Sequence, residues 1–417
     1  MFIRKEWEKL RSVVIHRPGI EIDYAMLAPR AFLFERPFNK QKAISEHIEL
    51  EQKLRENGVK VTLLREMFNA RASSDNHFRE AMEEKVKERV VFYGDIDDSK
   101  RLMEEFSKNI SYLDSDTLFN LMILEPAIDV RTDQSNNMQY PKIFSNIPLA
   151  NLYFMRDQQA TGSQGIISGR MKLPQRNAEP SITGFIMDNV LGKEHVKKIS
   201  QNSFFEGGDY IPCGDFGLIG TGPRTDLNGA KEALNSGMLT HDEVLILENP
   251  KYDFMVDDLL NNMHLDTYFN IPSSEVAICS ARLAKKASGQ VYERNGDEYT
   301  PSRKTVLYDY MIEKGFNILD LSVVEQLSYS SNFLTISNGK ILCVDSSKVF
   351  KKLLKNNILN EEIARNSSFE LPNPDDVMFP IPKKMREFGI DYITIDLEEL
   401  TGGYGGAHCM TMAMERS

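Results

Sequence analysis

The stretches "RSVVIHRPG" (residues 11–19) and "VKVTLL" (residues 59–64) decide the fold class of this chain. The first predicts a short apolar strand that closes at a Pro-Gly turn, and the second predicts another strand. Between them, the spacing of apolar and charged residues predicts a helix over about residues 40–56, ended by Asn57-Gly58, with three apolar side chains on one face: Ile44, Ile48 and Leu54. Strand, turn, helix and strand in this order indicate an α/β fold.

The sequence pattern of the rest of the chain changes twice, first to a helical segment and then to short β-rich segments. From about residue 74 to 130 the sequence is charged, helical in pattern and free of strand signals, which predicts an insertion of four or five helices. The polar stretch "RTDQSNNMQYPK" (residues 131–142) then reads as an exit linker, and short β-rich segments such as "NLYFM", "EVLILE" and "KILCVD" follow. We predict one α/β domain formed by residues 1–73 and 143–417, with a helical insertion and exit linker at 74–142.

Composition narrows the possible partners. The chain has 417 residues, of which 41% are hydrophobic and 27% charged, as in soluble globular proteins. A net charge of -11 argues against nucleic acid or an anionic membrane surface as a partner. The sequence has no apolar run long enough to cross a bilayer and no signal-peptide pattern, which predicts a cytoplasmic protein. The four cysteines lie far apart with no CxxC pair, so neither a zinc site nor a disulfide framework is predicted.

Four short stretches combine carboxylates, histidine or cysteine with glycines or strand ends: "NLYFMRDQQA", "FFEGGDYI", "MHLDTYFN" and "GGYGGAHCM". Taken alone, Asp157 beside an arginine is more typical of a surface ion pair, and Glu206 with Asp209 around two glycines is more typical of a turn. A strand through "MHLDTYFN" would place His264 and Asp266 on the same face, although such a pair is also common on surfaces.

Cys409 supplies a nucleophile that the other stretches lack. A glycine-rich loop offers backbone amides that stabilise a thiolate, and a Cys with a distant His is a known arrangement for covalent catalysis. Several carboxylates around that pair do not suit an ester or peptide, whose reaction needs donors aimed at an oxyanion. Carboxylates instead suit a planar cation with several N–H groups. Cys409 together with the histidine and carboxylates of the other stretches therefore favours attack by a thiolate on a guanidinium carbon.

These stretches resemble the arginine deiminases, within the guanidino-group modifying (amidinotransferase-like) superfamily. The resemblance rests on "NLYFMRD", "EGGD", "MHLDT" and "GGAHCMT" in the family's order, with "AMLAPRAFLFERP" and Glu46-His47 upstream. It implies a five-bladed α/β propeller of pseudo-fivefold ββαβ units (a pentein-like fold), interrupted by an inserted α-helical domain. It also implies hydrolysis of L-arginine to L-citrulline and ammonia, with no metal or organic cofactor, by a protein that forms a homo-oligomer.

The same resemblance implies roles for individual residues. Cys409 would attack the guanidinium carbon, and His264 would protonate the departing ammonia and then activate water. Asp157 and Asp266 would clamp the guanidinium nitrogens, while Glu206 would hold the guanidinium and orient His264. The remaining candidates would contact the rest of the substrate, the two arginines through its α-carboxylate: Arg224, Arg176, Asp209 and Gly403.

One position departs from the family. Several arginine deiminases carry an arginine in the terminal glycine-rich loop where this chain has Tyr404. Three other enzyme activities remain open from the sequence: an arginine dihydrolase that yields ornithine, an agmatine deiminase and an amidinotransferase. A non-catalytic arginine-binding protein on the same fold also remains open. The presence of both Cys409 and His264 argues against the last of these.

Overall fold

A computed structural model describes residues 2–94, 96–133, 135, 138–255, 262–296, 298–366 and 369–417. Within these ranges the chain forms a mixed α/β fold of six small sheets. Five of the sheets follow one pattern, in which the first strand is antiparallel to the second and the second is parallel to the third. The sixth lies in the segment predicted as a helical insertion.

The five similar sheets are numbered by the position of their second strand along the chain, and their three strands are given in the order first, second, third. The sheets are the terminal sheet (Met412–Arg416, Leu10–Ile15, Lys60–Leu63), the second sheet (Gln159–Thr161, Ile166–Ser168, Val196–Lys198), the third sheet (Tyr210–Cys213, Phe216–Thr221, Glu243–Glu248), the fourth sheet (Phe269–Asn270, Val276–Cys279, Asn317–Asp320) and the fifth sheet (Leu334–Ser337, Lys340–Val344, Asp391–Ile395). A hairpin formed by Ser288–Asn295 and Glu298–Val306 extends the third sheet.

Helices connect the strands. The α-helices are Glu21–Ala25, Lys40–Glu56, Leu64–Ser74, Asn76–Lys87, Ile96–Asn109, Ser115–Leu124, Glu179–Leu191, Leu227–Leu234, Ala281–Ala284, Leu307–Glu313, Val323–Leu327, Ser346–Lys355, Glu361–Asn366 and Pro382–Glu387. Short 3₁₀ helices lie at Pro29–Phe32, Ile110–Tyr112, Lys193–His195, Gly207–Asp209, Asp253–Met255, Leu265–Thr267 and Leu400–Gly403. None of the described helices is both long and apolar enough to span a bilayer.

The predicted strand–helix–strand unit at the start of the chain is confirmed. Leu10–Ile15 and Lys60–Leu63 are parallel neighbours, joined through the helix Lys40–Glu56. The Asn39 side chain caps this helix by accepting a hydrogen bond from the Lys42 N–H at 3.0 Å. Gly58 follows the helix with φ +76°, a conformation that favours glycine.

The buried face of that helix differs from the predicted one. Ile48 is 45% exposed, and the buried side chains instead include the ionisable pair Glu46 and His47. Glu46 faces inward because its carboxylate accepts the backbone N–H groups of Glu399 and Leu400, at 2.9 and 3.0 Å. An apolar-periodicity rule misses such a contact, because the partner lies far away in sequence.

The segment predicted as an all-helical insertion contains strands as well. Among its described residues, the range 74–130 holds three α-helices and one 3₁₀ helix, together with the strand Val91–Tyr93. The described strand residues of the stretch predicted as an unpatterned exit linker, 131–133 and 138–142, belong to an antiparallel hairpin of Pro126–Asp133 and Met138–Ser145, and residues 134, 136 and 137 lie outside the described ranges. Seven of the eight residues of the second strand are exposed, so its sequence lacks the alternation that marks a half-buried strand.

Two other stretches predicted as strands are turns. "NLYFM" (residues 151–155) is buried but not extended, and the strand begins only at Gln159. "MHLDT" contains the 3₁₀ turn Leu265–Thr267, so His264 and Asp266 do not share a strand face. A buried turn and a buried strand have the same apolar composition, which is why the pattern misled. The glycine-rich loop itself is packed in the core, with Cys409 3% exposed and Met410 fully buried.

Candidate active site

The site residues occupy equivalent positions in the five similar sheets. Asp157 lies just before the first strand of the second sheet, Glu206 before that of the third, and His264 before that of the fourth. Asn332 and Cys409 take the same position before the first strands of the fifth and terminal sheets. Because the sheets are alike, these turns bring five polar side chains from distant parts of the sequence together.

His264 is held between two carboxylates. Its Nε2 lies 2.8 Å from Glu206 Oε2, and its Nδ1 lies 3.6 Å from Asp157 Oδ1. Burial opposes the charged imidazolium, but the negative charge of Asp157 and the hydrogen bond to Glu206 outweigh it and raise the pKa of His264 to about 9. Only glycine fits at Gly208, where a Cβ would come within 2.9 Å of both Asp157 and His264. His264 is therefore a cation at neutral pH.

Cys409 is a protonated thiol in this arrangement. Burial raises the pKa of Cys409 well above its usual range, and the nearby carboxylates of Asp266 and Asp157 raise it further. The Sγ atom donates toward Asp266 Oδ2 at 3.4 Å and accepts a hydrogen bond from Asn332 Nδ2 at 3.1 Å. The amide of Asn332 lowers the pKa of the thiol, in opposition to the two carboxylates.

Asn332 is the residue that the sequence analysis missed. Its Oδ1 accepts the backbone N–H of Gly406 at 2.8 Å and that of Cys409 at 3.1 Å, while its Nδ2 also donates to the Asp266 carbonyl at 3.1 Å. One buried amide thus fixes the glycine-rich loop and contacts the sulfur. No motif marks "SYSSNFLTIS", and only its position before a first strand identifies it.

Asp157 and Asp266 each keep one carboxylate oxygen available. Asp157 Oδ2 accepts from Arg176 at 2.5 Å, and Asp266 Oδ2 lies 2.7 Å from His408 Nδ1. The buried Oδ1 atoms of both aspartates have no hydrogen-bond partner in the described part of the chain. Burying such acceptors is costly unless a ligand satisfies them.

The two arginines differ in how fully they are engaged. Arg176 directs its donors at Glu179 and Asp157, which outweigh the effect of burial and raise the pKa of its guanidinium. Arg224 has only a long contact to Glu206, at 3.5 Å, and one to the Met263 sulfur at 3.3 Å, and its buried Nε is unpaired within the described ranges. Of the two arginines, Arg224 therefore has N–H donors that a ligand could use.

A narrow cavity joins most of these groups; counted with the part that is open to solvent, its space is about 280 Å³. The described residues that line it are Leu33, Asn151, Phe154, Asp157, Arg176, Arg224, Met263, His264, Gly403, Tyr404 and Cys409. A Cβ at Gly403 would collide with the Tyr153 hydroxyl and the Phe154 ring, so this part of the wall requires glycine. Seven of the predicted site residues therefore lie on the cavity wall or, for Asp266, in contact with the Cys409 sulfur.

Two predicted substrate contacts lie behind the wall. Glu206 is not among the described residues that line the cavity, but it contacts His264 and Arg224, which do. Asp209 does not line the cavity: its Oδ1 accepts from Asn249 Nδ2 at 2.7 Å and from the Leu265 N–H at 3.0 Å, which fixes the turn after His264. Burial raises the pKa of Asp209 to about 7.

The spacing of Asp157, Glu206 and His264 could also hold a metal ion, because one ligand atom from each lies within 4.8 Å of the others. The charges of the neighbouring side chains are unfavourable for binding a metal ion here. Arg176 and Arg224 already neutralise the two carboxylates, and His264 carries the proton that a metal would have to displace. The cluster fits a proton-transfer role better than a cation site.

Comparison with known proteins decides the family. Residues 30–416 match the family model described as arginine deiminase. The chain belongs to the arginine deiminase family. This confirms the prediction made from the four motifs, including the hydrolase class that acts on the C–N bond of a guanidino group.

The relatives match over nearly the whole chain at low identity. The arginine deiminase of Halobacterium salinarum is 23% identical, over 99% of this chain and 96% of the relative. That of Limosilactobacillus reuteri is 27% identical, over 87% of this chain and 92% of the relative. Among solved structures, a Pseudomonas aeruginosa DDAH complexed with citrulline aligns with TM-score 0.52 at 14% identity, covering 97% of this chain and 100% of the other. The likeness to that structure supports the mixed α/β fold.

Proposed function

We propose that this chain hydrolyses L-arginine to L-citrulline and ammonia. The observation that carries the proposal is that the buried Oδ1 atoms of Asp157 and Asp266 accept no hydrogen bond from the described residues, Asp157 Oδ1 having only its 3.6 Å ionic contact with His264. Both carboxylates lie close to the Cys409 sulfur. A guanidinium group presents several N–H donors in one plane, and carboxylates pair with it through parallel hydrogen bonds. A guanidinium held by both aspartates has its carbon within reach of Cys409.

Substrate binding itself activates the nucleophile. The resting thiol is protonated because it lies among negative charges. A bound guanidinium brings a positive charge next to the sulfur and so lowers the pKa of Cys409. The thiol proton passes to solvent rather than to Asp266, because burial of that carboxyl is outweighed by the hydrogen bond with His408 and by nearby positive charges, which lower its pKa. Asn332 Nδ2 donates to the thiolate that forms.

The first half of the reaction releases ammonia. The thiolate forms a C–S bond with the guanidinium carbon, which becomes tetrahedral. His264, an imidazolium at neutral pH, then gives its proton to one terminal nitrogen, and that C–N bond breaks as ammonia leaves. The product on the enzyme is an S-alkylthiouronium cation attached to Cys409, and His264 is left neutral.

The second half restores the enzyme. Neutral His264 takes a proton from water, and the oxygen attacks the thiouronium carbon. The C–S bond then breaks, the sulfur takes the remaining hydroxyl proton of the tetrahedral carbon, and the neutral ureido group of citrulline is released. Glu206 stabilises the imidazolium that forms in each cycle through the 2.8 Å hydrogen bond. These side chains fill every chemical role, so we expect no metal or organic cofactor.

Arg224 is the proposed partner of the substrate α-carboxylate, because it lines the cavity and its Nε has no hydrogen-bond partner among the described residues. Arg176 remains a second candidate, but its engaged donors favour a different role, that of holding Asp157 in place. Gly403 leaves room for the aliphatic part of the substrate. Asp209 supports the turn that carries His264 and Asp266 rather than the substrate itself.

The repeated sheet pattern supports a finer fold assignment. Five sheets with the same strand directions, one of them joining the two ends of the described chain, fit a five-bladed α/β propeller. The proposed blades belong to residues 1–73 and 143–417, and 74–142 is an insertion of helices and a small sheet. A cytoplasmic location and a homo-oligomeric state remain predictions from the sequence.

Incubation with L-arginine, agmatine and citrulline tests the proposal. We expect citrulline and ammonia from L-arginine, with much weaker turnover of agmatine, which has no carboxylate for Arg224. The Cys409→Ala variant should lose this activity, whereas Cys213→Ala, which alters a similarly buried cysteine outside the site, should retain it. Ornithine as the end product would instead identify a dihydrolase, and no turnover of any guanidino compound would overturn the proposal.

A further inference from the structure

A second pocket lies beside the catalytic one; counted with the part that is open to solvent, its space is about 450 Å³. Its described lining is Glu35, Asn262, Thr267, Gln326, Leu327, Tyr329, Leu353, Ile358, Leu359 and Tyr404. Tyr404 is the only described residue that lines both cavities. We call this space the side cavity, and the mechanism above makes no use of it.

Two buried amides in the side cavity have unused hydrogen-bonding atoms. Asn262 is 2% exposed and Gln326 4% exposed, and they bond to each other through Gln326 Nε2 and Asn262 Oδ1 at 3.0 Å. Asn262 Nδ2 and Gln326 Oε1 have no partner among the residues that the structure describes. The cavity therefore offers one donor and one acceptor on adjacent amides.

The other walls are mostly apolar. Leu327, Leu353, Ile358 and Leu359 surround the space, which is unfavourable for water except next to the amides. The Glu35 carboxylate is ion-paired with Arg36, so this wall adds no net charge and favours a neutral ligand. A fitting occupant has an aliphatic body and one neutral end that both accepts and donates a hydrogen bond.

From these features we propose that the side cavity is an effector site for a small neutral molecule with a branched aliphatic body and a carboxamide or ureido end. The polar end bonds to Asn262 Nδ2 and Gln326 Oε1, and the aliphatic part packs against Leu353 and Ile358. Binding of this kind satisfies two buried polar atoms, whose burial without a hydrogen-bond partner is unfavourable.

Two contacts connect the side cavity to the catalytic residues. Gln326 Nε2 donates to the Thr267 carbonyl at 2.8 Å, and the Thr267 hydroxyl donates to the His264 carbonyl at 2.6 Å. Tyr404 adopts a left-handed backbone with φ +72°, and its hydroxyl accepts from Arg30 at 3.0 Å. A ligand that packs against Tyr404 thus alters the wall of the arginine cavity. This regulatory part rests on the proposed function, whereas binding itself does not.

Titration with isovaleramide, followed by protein NMR or calorimetry without substrate, tests the site. We expect saturable binding to the wild-type protein and at least a tenfold loss of affinity in Leu353→Trp, whose indole fills the cavity. Lys355→Trp, on the exposed face of the same helix, should bind like wild type. If Leu353→Trp does not fold, Leu353→Ala replaces it and should change the affinity for isovaleramide by at least threefold, since it alters the wall.

Kinetics at saturating isovaleramide should show at least a twofold change in the KM for arginine, and this change should vanish in Leu353→Trp. An absence of saturable binding, equal affinity in Leu353→Trp and wild type, or a crystal structure with only water in the side cavity under saturating isovaleramide would each overturn the proposal. Failure to deiminate arginine would overturn the proposed function but would leave the binding result to stand by itself.

Discussion

The side-chain amide of Asn332 donates to the sulfur of Cys409 over 3.1 Å, and its carbonyl accepts the Cys409 backbone N–H over the same distance. The nucleophile and its loop are thus fixed by one residue from a different sheet. A hydrogen bond to a charged acceptor is worth about 1.5 to 3 kcal/mol, so this contact matters most once the thiolate has formed.

Asn332→Ala should therefore reduce kcat by about 10- to 100-fold with a smaller effect on KM. The thiol pKa should rise at the same time, because the amide that favours the thiolate is gone. Rates of alkylation of Cys409 as a function of pH measure that pKa directly. Asn317→Ala, at an exposed position, is the control. Wild-type kcat in Asn332→Ala would contradict the role given to the amide.

The pH profile should report the charge of His264. Since the general acid must be protonated, kcat should decline as pH rises through about 9. Glu206→Gln removes the negative charge that stabilises the imidazolium, so the alkaline limb should move to lower pH by roughly 1 to 3 units. Steady-state kcat measured from pH 6 to 10 in both proteins gives the comparison. An unmoved alkaline limb would show that another group controls it.

Arg224→Ala should raise the KM for L-arginine by about 10- to 100-fold, because a buried arginine–carboxylate pair is lost. The KM for agmatine should not rise, since agmatine has no carboxylate. Arg386→Ala, at an exposed position, serves as the control. Equal effects on both substrates would instead indicate that Arg224 acts by holding Glu206.

The buried carboxyl of Glu46, which bonds to the backbone just before the glycine-rich loop, should make the stability of the folded protein depend on pH. Burial raises the pKa of Glu46 to about 7, although the backbone N–H groups of Leu400 and Glu399 oppose the shift. Because the folded-state pKa of Glu46 exceeds its unfolded value, the contribution of the protonated carboxyl to stability is complete below about pH 4.5. This contribution is lost as the pH rises through 7. Relative to wild type, Glu46→Gln should gain about 2 to 3 kcal/mol of unfolding free energy between pH 5 and pH 8.

Urea unfolding at the two pH values measures this difference, and Glu56→Gln, at an exposed position of the same helix, should show almost none. A constant difference between Glu46→Gln and wild type across this pH range would mean that Glu46 ionises at its ordinary pKa in the folded protein.

The sequence predicted the α/β class, the family and the residues that gather around Cys409, because each motif lies close together in the chain. It also predicted the helix 40–56 to the residue. It missed Asn332, which has no motif, and misassigned the face of that helix, because Glu46 is buried by a contact with residues 399 and 400. It also gave no indication that the Asp209 carboxylate accepts a hydrogen bond from Asn249.

Tyr404 is a further example of a residue whose contacts the sequence could not predict. The sequence marked it as a departure from the family, but could not indicate that it lies between two cavities with its hydroxyl bonded to Arg30. Contacts of this kind depend on tertiary packing, and local pattern holds no information about them.

The covalent intermediate on Cys409 is the central claim, and mass spectrometry of the acid-quenched reaction tests it most directly. During turnover of L-arginine, the peptide that contains Cys409 should gain the mass of arginine less ammonia, and the adduct should disappear once substrate is exhausted. Replacing His264 by alanine should slow its hydrolysis. Citrulline formation with no adduct on Cys409, or undiminished citrulline formation by Cys409→Ala, would contradict the account.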